Sequence, residues 1–252
     1  MINLKEINAG YGKDIILNNM DCTFKEGEIT SVIGMNGCGK STLLKVIAGL
    51  IQPVSGEIEV KGQSLLSLTD KDRAKLISYL PQSRNTPVIS AKRMVLHGRF
   101  PYLSYPRRYS SKDKKIALAA MERVGILGLS DKNMSELSGG ERQKVYIAMA
   151  LTQDTRIILL DEPTTFLDIT YQLELLKLLT ELRDEGKTVI TVIHDLSLAL
   201  RYSNKIIVLQ NGRVKYCNTP KEVYKSGILE EVFKVKAHHF MEEDKSEFYY
   251  FT

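Results

Sequence analysis

The chain has 252 residues, 43% apolar and 26% charged, which excludes a disordered protein and leaves room for one or two buried cores. No apolar run approaches the roughly 18 to 20 residues that span a bilayer, and the start, MINLKEINAGYG, lacks the basic and apolar regions of a signal peptide. The net charge of +5, from 35 basic and 30 acidic residues, is too small and too evenly spread to argue for nucleic acid, while a membrane surface or an acidic ligand stays open.

Three cysteines, Cys22, Cys38 and Cys217, show no CxxC spacing and read as reduced thiols of a cytosolic protein. Along the chain, INLKEINAGYG and EIEVKG have the texture of antiparallel strands. EITSVIG (28–34) is a β-branched run ending in glycine, and STLLKVIAGL follows it with helical spacing. From Gln82 to Ser138 the strand signal fades; SAKRMVLHGRFPY and SKDKKIALAAMERVGI read as helices joined by the loop PYLSYPRR. Two further strand-helix units come next, RIILLDE before YQLELLKLLTELRDEG and TVITVIH before DLSLALRYS. Apolar strands separated by helices imply a mainly parallel sheet covered on both faces. KIIVLQNGRVKYC then reads as an antiparallel hairpin turning at Asn211-Gly212. The weakly patterned segment 220–252 reads as a small helical appendage.

GMNGCGKS fits G-x-x-x-x-G-K-[ST], with Gly34, Gly39, Lys40 and Ser41 at the fixed positions and Met35, Asn36, Gly37 and Cys38 between them. Glycines let successive N–H groups curl around phosphate oxygens, Lys40 reaches the terminal phosphates, and the Ser41 hydroxyl can ligate Mg²⁺. In RIILLDEPT an apolar strand ends in Asp161 and Glu162, at the sheet edge where α/β folds bind ligands. Beside a phosphate loop, Asp161 suits a Mg²⁺ shell and Glu162 suits polarising a water for attack on the γ-phosphate. Gln82 and His194 each end a strand-like stretch; alone, such a Gln is usually a surface amide and such a His a satisfied core or capping residue, while Asp195 reads as a helix N-cap. Tyr11 could stack on adenine or pack a strand.

LSGGE (137–141) contains a capping box, Ser138 with Glu141. A cap does not explain Gly139 and Gly140, which cost helix stability in a first turn. Close approach of an anion would, yet the phosphate loop already holds a triphosphate by itself, so a second copy of the chain is the natural source of that anion.

Phosphate loop GMNGCGKST, YLPQ, LSGGE, IILLDE, TTFLD and His194 stand in an order and spacing that resemble the ATP-binding cassette (ABC) ATPases, over nearly the whole chain. The resemblance implies an α/β P-loop NTPase cassette with a mainly parallel core sheet, an antiparallel β subdomain and an inserted helical subdomain. The ATPase domain would span 1–219, with the helical subdomain at about 83–150, and 220–252 would be its appendage. ATP and Mg²⁺ are the implied cofactors: Tyr11 would stack on adenine, residues 34–42 including Thr42 would hold phosphate, and Ser41, Gln82 and Asp161 would surround the metal. Glu162 would be the general base, with His194 on the γ-phosphate and Lys40 and Gln82 completing the catalytic set. Ser138, Gly139 and Gly140 would receive the partner's γ-phosphate in a head-to-tail homodimer, and Asp168 would link the two sites.

Met35 stands where proline is commoner and Glu141 where glutamine is frequent; backbone groups act at both, and Glu keeps the capping box. VLHGRFPYLS, GGERQKVYIAMAL and DEPTTFLDITYQLELL are similar to the ATPases of iron-chelate importers, the group handling siderophores, haem and vitamin B12. That resemblance implies a peripheral subunit on the cytoplasmic face of the membrane, working with a permease dimer and an external binding protein, and no nucleic acid. Another importer, an exporter or a soluble non-transport ABC ATPase are the alternatives.

Overall fold

The computed structural model describes residues 1–82, 86–241 and 247–252. Its first strands, β1 (Ile2–Tyr11) and β2 (Asp14–Phe24), pair antiparallel. Next come β3 (Ile29–Gly34), α1 (Lys40–Ile47), β4 (Ser55–Val60) and the short β5 (Gln63–Ser64). The order β2-β1-β4-β5 makes a separate antiparallel sheet, as the alternating texture of both ends of this region requires.

After α2 (Asp70–Leu76) and β6 (Ile77–Leu80), the chain is helical: α3 (Ala91–Leu96), α4 (Ser111–Arg123) and α5 (Gly139–Thr152). The expected start of the helical subdomain, at 83–85, lies outside the described residues. β7 (Ile157–Asp161), α6 (Ile169–Asp184), β8 (Thr188–Val192), α7 (Leu196–Tyr202), β9 (Lys205–Gln210) and β10 (Arg213–Asn218) complete the core.

The core sheet has the order β10-β9-β3-β8-β7-β6. All its pairings are parallel except the β9–β10 hairpin, which turns at Asn211-Gly212 as its sequence requires; β9 itself runs parallel to β3. β3, β7 and β8 are buried at every residue because layers cover both faces. Alternate side chains go to opposite layers: Val32, Leu159 and Ile190 face α1 and the antiparallel sheet, while Ile33, Leu160 and Val189 face the α6, α7 and helical-subdomain side. The parallel direction has one consequence for function. The carboxyl ends of β3, β6, β7 and β8 open on the same edge, and each carries one of the motifs.

The tail departs from the helical expectation. Two short helices, α8 (Pro220–Lys225) and α9 (Ile228–Phe233), are followed by a two-stranded hairpin of β11 (Ala237–Met241) and β12 (Glu247–Phe251). Cross-strand ring stacking, His238 on Tyr250 and Phe240 on Phe248, supports that hairpin. Among the described residues no helix is long and apolar enough to cross a membrane.

Candidate functional site

Residues 34–41 leave the end of β3 and turn into α1. A Cβ at Gly34 would lie 2.4 Å from the Leu209 carbonyl oxygen and 2.7 Å from Cys38 Sγ, so only glycine fits there. Gly39, at φ 104°, precedes α1 with no side-chain cap, whereas the helices beginning after Ser110, Ser138, Asp168 and Asp195 all have one. The first N–H groups of α1 are therefore left for an anion, with the helix dipole behind them. Lys40 is buried and its ammonium donates to the Gly34 and Met35 carbonyls at 2.8 and 3.0 Å, folded over the loop it would share with phosphate.

The ends of three strands, β6, β7 and β8, converge opposite this loop. Ser41 donates its hydroxyl to Asp161 Oδ1 at 3.0 Å, and the Tyr79 hydroxyl donates to Asp161 Oδ2 at 3.3 Å. Asp161 is 1% exposed; burial raises its carboxyl above the usual range against the pull of those two bonds, and the neighbouring Glu162 charge adds to the rise. Glu162 is held at both oxygens: Gln82 Nε2 donates to Oε2 at 2.6 Å, and His194 Nε2 lies 2.6 Å from Oε1. Thr165 adds a longer hydroxyl contact to Oε2 at 3.4 Å. Glu162 also sits at φ 52°, a left-handed conformation that costs a non-glycine residue about 1–3 kcal/mol.

Tyr11, Asn36, Gly37, Gly39, Lys40, Ser41, Thr42, Gln82, Glu162 and His194 all line one open cavity of about 560 Å³, the size of a nucleotide-class pocket. Tyr11 is 49% exposed at its mouth, with Lys45 Nζ donating to its hydroxyl at 3.0 Å, so strand packing does not account for it. The side chains of Met35 and Cys38 differ: Met35 is exposed, and the Cys38 thiol is turned into the core, its pKa raised by burial. Among the described residues no group of three His, Cys, Asp or Glu could hold a metal alone. A hydroxyl, a carboxylate and an amide beside the phosphate loop are the sparse, oxygen-rich set that suits Mg²⁺ shared with phosphates. Tyr79 and Thr165 escaped sequence reasoning, since a strand tyrosine reads as packing and a threonine after proline as a turn.

The signature residues lie elsewhere. Ser138 caps α5 by accepting from Glu141 N–H at 3.2 Å, and Glu141 returns by accepting from Ser138 N–H at 2.8 Å, which holds the Glu141 carboxyl below its usual range. Among the described residues nothing needs the two glycines. A Cβ at Gly139 would meet Phe166 Cβ at 3.6 Å, and one at Gly140 the Phe166 carbonyl at 3.5 Å, both ordinary contacts. Ser138, Gly140 and Asp168 line a second cavity of about 760 Å³, separate from the phosphate loop, and Asp168 caps α6 by accepting from Tyr171 N–H at 3.0 Å.

A family model described as ABC transporter matches residues 17–165, from β2 through the phosphate loop and signature to the turn after Glu162. The chain belongs to the ABC transporter family. As an ABC ATPase it binds and hydrolyses ATP. It is 39% identical to the iron(3+)-hydroxamate import ATP-binding protein FhuC of Bacillus subtilis, over 94% of this chain and 88% of that protein. It is 38% identical to the ferric enterobactin transport ATP-binding protein FepC of Escherichia coli, over 92% of this chain and 86% of that one. Among solved structures, a protein assigned to the metal-chelate type of ABC transporter, in an inward-facing conformation, superposes on this ABC ATPase with a TM-score of 0.84 and 28% identity, over 100% of this chain and 96% of that one. An ATP-binding cassette solved as a dimer in a post-hydrolysis state with ADP and Pi gives 0.78 and 32% identity, over 87% of this chain and 99% of that one.

Proposed function

We propose that the chain is the ATP-hydrolysing subunit of an importer for an iron chelate, attached to the cytoplasmic face of the membrane through a separate permease dimer that an external binding protein supplies. The single observation that carries the hydrolytic part is the double grip on Glu162, by Gln82 and His194, at the rim of the phosphate-loop cavity. The substrate class rests on the near-equal likeness to relatives named for ferric enterobactin and for iron-hydroxamate. Two different chelates at 38 and 39% identity support the class and favour neither member.

In this reading residues 34–42 cradle the β- and γ-phosphates, Tyr11 stacks on the adenine, and Lys40 leaves the Gly34 and Met35 carbonyls for the γ-phosphate. Ser41, Asp161 and Gln82 would hold Mg²⁺, which supplies charge neutralisation on the phosphate oxygens. Glu162 takes a proton from the attacking water. Both its oxygens hold contacts, so one contact must open first; moving His194 to the γ-phosphate opens it, which ties the readiness of the base to the presence of nucleotide. Ser138, Gly139 and Gly140 of a second copy close over the γ-phosphate head to tail, with Asp168 beside them.

The test combines cells and purified protein. A strain lacking this chain loses uptake of ferric chelates, the wild-type chain restores it, and Glu162→Gln does not. Purified, the same variant keeps ATP affinity while turnover falls by about 10²–10⁴. Normal hydrolysis by the variant removes Glu162 as the base, and unchanged uptake of several ferric chelates in the deletion strain removes the iron-chelate assignment.

A further inference from the structure

Residues 86–115 hold eight basic residues and one acid, a net of +7 within a chain whose total is +5. The one acid, Asp113, is buried and already used: Arg99 Nε donates to its Oδ1 at 2.9 Å, and Ser110 N–H and hydroxyl donate to its Oδ2 at 2.9 and 2.6 Å. Arg93, Arg107, Arg108, Lys112, Lys114 and Lys115 are exposed, and among the described residues none pairs with a carboxylate. Crowding six like charges costs folding free energy and brings no carboxylate partner among the described residues in exchange, so the arrangement calls for an anionic surface outside the chain.

The segment is also presented as a platform. Arg99 donates to the Thr152 carbonyl at 3.1 Å and the Tyr102 hydroxyl donates to the Gln153 carbonyl at 2.9 Å, fixing one end of the loop 103–110 to α5. Ser110, capping α4, fixes the other. Between these anchors residues 104–108 are exposed without interruption; Tyr105, at the tip, is 97% exposed, and the Arg107 guanidinium lies 4.7 Å over the half-exposed Phe100 ring. Tyrosine beside arginine and lysine is the composition that settles at a membrane interface. Lys112, Lys114 and Lys115 follow in the first turns of α4, and a surface that adds three exposed lysines to the loop is a poor match for a protein interface, whose core is depleted in lysine.

We propose that loop 103–110 and the first turn of α4 dock on anionic phospholipid headgroups beside the permease. This rests on the membrane-bound placement above, and goes beyond it by giving the cassette a lipid contact of its own. The probe is vesicle sedimentation of the purified full chain, without permease, using phosphatidylcholine alone or equal parts phosphatidylcholine and phosphatidylglycerol. Binding is expected to the mixed vesicles only, and to fall with added salt. Removing a cation should weaken it about five-fold, so R107S/R108S should bind about thirty-fold more weakly with its ATPase rate unchanged. Y105A should lower binding at both low and high salt.

Equal binding to neutral and anionic vesicles, or undiminished binding by R107S/R108S, overturns the proposal. So does retention by nucleic acid or by reconstituted permease through the same two arginines with no affinity for either vesicle. Because no permease or chelate is present, a failed uptake experiment and a failed vesicle experiment remain distinguishable.

Discussion

Asp161 shows how burial and charge decide a single side chain's contribution. Its folded pKa is raised, so between its ordinary value and that raised value the folded state binds more protons than the unfolded one. Stability from this group therefore declines as pH rises through the window, and at neutral pH the ionised carboxylate is a net cost to the protein by itself. Asp161→Asn removes that cost: the Tm of the protein without nucleotide should rise at neutral pH, and its advantage over wild type should shrink as pH approaches about 4. The Tm increase that Mg²⁺ and ATP give together should be smaller in the variant. Calorimetry at the two pH values checks both, and a lower Tm at neutral pH would mean that the bonds from Ser41 and Tyr79 outweigh desolvation. The candidate residues could be named from the sequence because the phosphate loop fixes two glycines, a lysine and a hydroxyl at fixed offsets and turns nearby polar strand ends into candidates. The grip on Glu162 could not be, since it depends on Gln82 and His194 reaching it from strands 80 and 32 residues away, through a left-handed backbone no pattern announces.

At the level of elements, α5 separates a cap from a binding surface. Alanine at position 139 fits at ordinary contact distance and is the better helix former by about 0.5–1 kcal/mol. Gly139→Ala should therefore raise Tm by roughly 2–3 °C and leave ATP binding by the single chain unchanged, while hydrolysis falls at least about ten-fold if, as proposed, the partner's phosphate approaches where the methyl group would stand. Ser138→Ala should lose activity and stability together, through the cap. Thermal denaturation and turnover on the same samples distinguish the two; an active Gly139→Ala would reduce LSGGE to a helix start. A strand flanked by glycine turns, such as β3, was readable from its β-branched run ending in glycine. β2 was not, because Asn18-Asn19 interrupts its alternation and looks like a turn, whereas the fold absorbs it as a bulge with Asn19 at φ 44° and its N–H donating to Asn8 Oδ1 at 2.9 Å. The hairpin of β11 and β12 escaped for a different reason: aromatic pairs across strands hold it, and that pairing is invisible along the chain.

For the whole molecule, even composition concealed uneven placement: a modest net charge hid the basic tract at 86–115. One chain holds the phosphate-loop residues on one cavity and Ser138, Gly140 and Asp168 on another, so no single copy brings the two halves together. In the proposed head-to-tail dimer, two copies related by a two-fold axis would complete two sites at once, which would make the active species second order in chain. While dimers are scarce, turnover per chain should scale with protein concentration: below the dimer dissociation constant, a ten-fold dilution should lower it about ten-fold, and at high concentration it should level off. Glu162→Gln with ATP should show twice the chain mass by light scattering, because binding closes the dimer and hydrolysis no longer opens it. Lys40→Ala with ATP should stay at the mass of one chain, since the phosphate that bridges the halves is no longer held. Constant turnover per chain across dilution, at single-chain mass, would mean that one copy suffices, and the two glycines of α5 would then lose the only role that accounts for them.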